Sequence, residues 1–286
     1  MQQHAPLPRI QRPYFRNGPQ HRAGADVSFG DIVKIFDFRR IKIGRWVNAM
    51  ETQLAANLFF DALSDLQLLL QVPPQVISLN GSLALSFGIG GEPGTCAFYQ
   101  PQGRLLALSK NAGGGSLAHE WFHAFDHHIA SRLCTDVKAT AFASSSWLHG
   151  AAIQSHPLNQ LLAAGFAHCL LSPDGEQPSA YFQRSAAADR SRGTLYYALP
   201  EELCARAFEN MLQRQSLQNS FLVSGTIFSS RRGKHSTEPS QLQLQQQHAA
   251  LYPDANESSQ LAASWLQYFQ RLGQALSRPA VNQNVR

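Results

Sequence analysis

The sequence predicts an α+β fold in which a small, mainly antiparallel sheet is followed by helices. Three observations carry this. Apolar residues recur at three- and four-residue spacing from Val47 to Gln71, and four short β-type runs fall between Val76 and Ser109. Beyond the glycines at 113 to 115 the periodicity is helical as far as Leu276.

In chain order, residues 1 to 25 are rich in Pro, Gln, Arg and His and offer few apolar side chains, so a flexible basic tail is expected. Residues 26 to 286 read as a single domain, with a sheet-bearing half over 45–131 and a helical half over 132–276. Leu54, Leu58, Ala62, Leu66, Leu69 and Leu70 mark the buried face of a long helix, which Pro73 and Pro74 stop. Strands are expected at 76–79, 83–89, 95–99 and 105–109, set apart by Asn80-Gly81, Gly90-Gly91 and Pro101-Gln102-Gly103. Gly113-Gly114-Gly115 then breaks the strand pattern, and Ser116 offers an N-cap for the next helix. Helical patterns follow over 158–171, 200–217 and 258–276, the second opening on Pro200 and two acids. Between the last two, residues 229–248 form a basic, Gln-rich stretch that reads as an exposed low-complexity loop.

The composition narrows the function classes. With 286 residues, 44% of them hydrophobic, the chain can bury a substantial core. The net charge of +5 is concentrated in the first 22 residues and in Arg231, Arg232 and Lys234. No aromatic-interleaved basic patch accompanies it, so no specific nucleic acid is expected as a partner. Cys96, Cys134, Cys169 and Cys204 are far apart and form no CxxC pair, which excludes a cysteine zinc knuckle or a dithiol motif. Neither a signal-peptide core nor an 18-residue apolar run is present, so a cytoplasmic protein without a membrane partner is expected. The oligomeric state is left open.

The chemistry concentrates in His119-Glu120-Trp121-Phe122-His123. On a helix the two histidines lie one turn apart, so both imidazoles can meet one Zn²⁺. Glu120 lies about 100° round the helix, where a general base can touch a metal-bound water without displacing it. Histidine is a weak helix former, yet four occur between positions 119 and 128, which a merely solvated face leaves unexplained.

A catalytic zinc site needs a third protein ligand. The metzincin position, six residues after His123, is Ile129 and supplies none. Candidates are Glu202, Asp126, Glu201 and His127. First-turn acids such as Glu201 and Glu202 also serve a helix dipole, and Asp126 suits a hydrogen bond to an imidazole N–H better than a metal bond. Tyr196 and Tyr197, just before the Pro200 helix, could donate a hydroxyl to a transition state, although ordinary aromatic packing accounts for them too. Tyr252, His149 and His168 are weaker candidates. The glycines at 113 to 115 lack the Gly-Lys-Ser/Thr ending of a phosphate loop.

The segment Glu202-Leu203-Cys204-Ala205-Arg206-Ala207-Phe208 resembles the second zinc-site helix of the glutamate-zincins, and the resemblance makes Glu202 the third ligand. Arg206 stands where many zincins have Asp. The wider blocks from Gly114 to Asp126 and from Tyr196 to Glu209 resemble the large polyvalent-protein-associated zincin-like domains, more closely the bacterial proteins named the CLCA_X family. This resemblance, spanning about 45 to 276, implies a zincin-like fold and a zinc metallopeptidase acting on a protein or peptide. The expected site is His119, His123 and Glu202 on zinc, Glu120 as base, and Asp126, Tyr196 and Tyr197 around them. The alternative is a non-catalytic, metal-stabilised protein that binds a protein or nucleic-acid partner; an amidase would share the same metal chemistry.

Overall fold

The computed structural model describes residues 9–89, 97–110, 115–227, 248 and 250–277. The first helix, α1 (Phe29–Phe36), starts at a Ser28/Asp31 capping box and buries Phe29, Ile32 and Phe36. It leads to strand β1 (Arg40–Ile43). Helix α2 (Ala49–Leu70) begins at a second box, Asn48 with Glu51, and closes on left-handed Gln71 just before Pro73-Pro74. The stretch expected as a first strand is instead the short helix α3 (Pro74–Ile77). Pro74 is preset for a first helical turn, and this outweighs the β-branched pair Val76-Ile77, both of which are buried.

Strands β2 (Ala84–Phe87), β3 (Ala97–Gln100) and β4 (Leu105–Leu108) complete a four-stranded mixed sheet in the order β1-β2-β4-β3. Two of its three pairings are parallel, β1 with β2 and β2 with β4; only β3 runs antiparallel, in a hairpin with β4. The expectation of a mainly antiparallel sheet is thus corrected. Its physical sources are β1, unread in the sequence and joined to β2 by the α2–α3 crossover that parallel neighbours need, and the order β2-β4-β3, which sets β4 rather than β3 beside β2. All four residues of β2 are buried, as an interior parallel strand requires.

Six helices follow among the described residues: α4 (Ser116–Leu133), α5 (Ala143–Leu148), α6 (Pro157–Leu170), α7 (Ala180–Arg192), α8 (Pro200–Gln213) and α9 (Ala255–Ser277). Helix α4 lies against β3 and β4 on one side and α5 and α8 on another. Its apolar stripe locks into the helical half through rings. Phe122 meets Phe208 at 4.8 Å and Trp265 at 5.1 Å, and Phe125 meets Phe269 at 5.0 Å. Trp121 stacks on Phe208 and donates its indole N–H to the carbonyl of Ile77 at 2.9 Å, tying α4 to α3. Helices α6 and α9 approach closely at Gly165, where a Cβ would come within 2.1 Å of the Trp265 indole.

Residues 9–25 are not a free tail. Ile10 is buried, and Arg16 forks onto the buried carboxylate of Asp65 with bonds of 2.6 and 2.7 Å. His21 reaches the same carboxylate at 2.8 Å, and Arg22 pairs with Asp61. The polar composition misled because the partners are charged groups on α2 rather than apolar surface. Residues 1–8, and the low-complexity stretch 229–248 except His248, lie outside the described residues. Among the described residues no helix is long and apolar enough to cross a membrane.

Candidate metal centre

The site begins with Gly115, which stands at the cap of α4 with φ +105°. A Cβ there would meet the backbone N of Ser224 at 2.6 Å, so only glycine admits the chain segment that crosses the helix start. That segment supplies what a side-chain cap would have. The N–H groups of Gly115 and Ala118 donate to the carbonyls of Phe221 and Leu222 at 3.2 and 3.1 Å. The expected cap by Ser116 is not used; Ser116 is itself the first helical residue.

One turn into α4, His119 and His123 turn their Nε2 atoms toward each other, 3.1 Å apart. Glu202, in the first turn of α8, brings Oε2 to 3.4 Å from His119 Nε2 and Oε1 to 3.3 Å from His123 Nε2. Four ligands placed tetrahedrally at 2.0–2.1 Å from a zinc ion stand about 3.3–3.4 Å from one another. The two imidazole nitrogens and the Glu202 carboxylate, one oxygen toward each ring, therefore approach one another at 3.1–3.4 Å, close to the ligand-to-ligand spacing of a zinc tetrahedron. Two further facts fit a cation. The buried Oε2 of Glu202 has no hydrogen-bond partner, and two facing imidazole nitrogens have only lone pairs and protons to share.

The electrostatics point the same way. Burial alone would lower the pKa of His119, but the carboxylates of Glu209 and Glu202 outweigh it and hold the pKa at about 10. Glu202 itself, which burial would raise, is held far below the ordinary carboxylate range by the two imidazoles. Glu120, 9% exposed, has its pKa raised by burial, against the pull of His119 and His123. The cluster thus needs positive charge, and His119, His123 and Glu202 are a donor set that zinc accepts.

Glu209 was missed as a site residue. Two turns after Glu202 on α8, it places Oε1 3.2 Å from Nδ1 of His119, fixing which nitrogen faces the cluster. The signal was present: Glu202, Arg206 and Glu209 recur on one face of the helix. Burial, and after it the nearby carboxylates of Glu209 and Glu202, raise the pKa of Tyr252 and Tyr196 respectively.

Other candidates fall elsewhere. Asp126 makes no bond to an imidazole; it is fully buried and accepts from the N–H and hydroxyl of Ser144, which holds the first turn of α5. Burial pushes its carboxyl up to about 7. His127 has both nitrogens engaged, one with the Tyr99 hydroxyl at 2.6 Å and one with the Ala139 carbonyl at 2.7 Å. Glu201 stays outside the cluster. Neither Tyr196 nor Tyr197 is a core residue: Tyr196 is 45% exposed, and both line a cleft of about 540 Å³ that also reaches His119, Glu120 and Glu209. Their loop is shaped by Asp189, whose carboxylate accepts from Thr194 and from the backbone N–H of Tyr196, Tyr197 and Ala198.

Residues 188–276 match a family model described as Large polyvalent protein-associated domain 1. This part of the chain is similar to that family. The matched span includes Glu202 and Glu209 and begins well after His123, and its description names no fold or chemistry. No curated protein matches the chain. No solved structure matches it.

Proposed function

We propose that the chain is a zinc-dependent metallopeptidase of zincin-like, CLCA_X-like arrangement, with a protein or peptide as substrate. The observation that carries this reading is the convergence of His119 Nε2, His123 Nε2 and the Glu202 carboxylate at 3.1–3.4 Å, with Glu120 on the adjacent helical position. Bound there, zinc would supply a Lewis acid that polarises a carbonyl and lowers the pKa of water.

The residues have separable duties. His119, His123 and Glu202 hold the metal, and Glu209 orients the His119 ring from behind. Glu120 takes the proton of the attacking water at its carboxylate and returns it to the leaving amine; its burial, which favours the protonated form, suits that return. Tyr196 lines the cleft with His119 and Glu120, where its hydroxyl can donate to a developing oxyanion. Strand β3 is an edge of the sheet and Ala97 lines the cleft, so an extended peptide can align along it.

The test couples metal content to turnover. The purified chain should hold one zinc, and Glu202→Ala should lose most of it, as should His119→Ala. Glu120→Gln should keep the zinc and lose hydrolysis of a peptide library by several orders of magnitude. Wild-type protein free of zinc after zinc-replete expression, or undiminished cleavage by Glu120→Gln, would overturn the proposal.

A further inference from the structure

The cleft beside the metal cluster contains two cations that metal binding leaves unused. Arg206, one turn after Glu202 on α8, is only 4% exposed. Its Nη2 donates to the Tyr197 carbonyl and its Nε to the Tyr181 hydroxyl, while Nη1 has no partner. A buried guanidinium with an unsatisfied N–H is costly unless something completes it. Arg192, at the exposed end of α7, stands 4.7 Å over the same Tyr197 ring that Arg206 overlies at 5.3 Å. Both arginines line the cleft with His119 and Glu120.

Resting on the peptidase reading above, we infer that this cleft receives a peptide through a carboxylate one or two residues from the bond to be cleaved, held by Arg206 and Arg192. The spacing follows from the helix: four residues advance about 6 Å along its axis. A peptide residue spans about 3.3–3.6 Å, so a carboxylate at Arg206 belongs to a residue next to, or one beyond, a carbonyl at the metal cluster. The planar fork of arginine matches a carboxylate with two parallel bonds. Glu120 and Glu209 line the same cleft and repel a doubly charged phosphate more than a singly charged carboxylate. Two sources present this chemistry, a chain-terminal carboxylate and an Asp or Glu side chain.

The experiment measures binding by fluorescence anisotropy on the full chain carrying Glu120→Gln, which keeps the peptides intact, with zinc content determined on the same sample. Three labelled pentapeptides serve as probes: one with neutral side chains and a free terminal carboxylate, its terminal amide, and an amide with a penultimate Glu. The free acid or the Glu-containing amide should bind at least about tenfold more tightly than the neutral amide, the scale of a charge-assisted bidentate contact. Adding Arg206→Gln or Arg192→Gln should bring that ratio close to one without changing zinc content. Arg192 is at the exposed rim, so its variant decides the matter even if Arg206→Gln fails to fold. Tight binding of the Glu-containing amide assigns the carboxylate to a side chain, and weak binding assigns it to the chain end; either supports the site. Equal binding of all three peptides by zinc-loaded protein, or a preference that survives both arginine substitutions, overturns it. A zinc-free sample that still prefers the acid overturns the peptidase reading and leaves the carboxylate site standing.

Discussion

Helix α4 is held in two different ways, and the contrast explains how the site is kept in place. Along its length the brace is apolar: Trp121, Phe122 and Phe125 interleave with Phe208, Trp265 and Phe269 from α8 and α9. At its start the brace is polar and passes through three segments. Arg16 and His21 hold Asp65 on α2, and Asp65 accepts from Asn219 at 2.8 Å. Asn219 accepts from the N–H groups of Phe221 and Leu222, whose carbonyls receive the first N–H groups of α4. The apolar brace sets which faces of α4 and α8 meet; the polar one sets where α4 begins, three residues before His119.

The largest expected effect comes from breaking the apolar brace. Trp121 is fully buried among the rings of Phe125, Phe208 and Phe269 and bonded to Ile77. Trp121→Ala should cost about 3–5 kcal/mol, read from the shift of the urea midpoint at constant slope. A cost below about 1 kcal/mol would mean that α8 and α9 do not depend on this packing.

Breaking the polar brace should cost less stability and more function. Asp65→Ala leaves Arg16, His21 and Asn219 without their common acceptor, at about 2 kcal/mol because Arg16 and His21 can regain water. Since Asn219 then no longer fixes the carbonyls at the start of α4, zinc affinity should fall in Asp65→Ala and stay near wild type in folded Trp121→Ala. Competition with a fluorescent chelator measures this. The reverse order of zinc losses would show that the helix start does not position His119. Truncation of residues 1–25 strips Asp65 of Arg16 and removes buried Ile10 and the bonds of Phe15 and Asn17 to Ser220 and Gln218, so it should cost at least as much stability as Asp65→Ala.

The two braces also differ in how far they can be read from sequence. The apolar stripe of α4, the long α2 and the α8 and α9 patterns repeat every three or four residues, so local spacing reveals them. Asp65, Arg16 and Asn219 meet across 49 and 154 residues of chain and have no period, and residues 9–25 consequently read as a tail. The same holds for the sheet, where Arg40–Ile43 alternates between exposed and half-buried positions and escaped notice, and the pairing direction went with it. Helix α7 buries only Tyr181, Ser185 and Asp189, two of them polar, so no apolar period marked it. At the site, His119, Glu120, His123 and Glu202 were legible from spacing and resemblance. Asp126 was misassigned because its partner Ser144 lies on α5, a six-residue helix with no strong signal.

The smallest effect concerns the far end of α4, where a third contact sharpens the comparison. His128 is half-buried with Nδ1 3.2 Å from the Ser82 hydroxyl and 3.4 Å from Nη1 of Arg104. Burial, and then the charges of Arg132 and Arg104 with His127 nearby, lower its pKa from the ordinary 6.5 to about 4. The folded form therefore resists protonation at pH values where the unfolded chain accepts a proton. By linkage, stability falls as pH drops through 6.5 toward 4, and this contribution levels off below about 4, where both states are protonated. His128→Gln removes the titrating ring and keeps a polar side chain beside Ser82. Carboxylates and the metal site respond to pH in both proteins, so metal-free samples are compared by difference. The stability of wild type minus that of His128→Gln should decrease steadily from pH 7 to pH 4. A difference that does not change with pH would show that this ring is as free to protonate in the folded helix as in the unfolded chain, and that the sheet side of α4 adds no electrostatic constraint to the two braces.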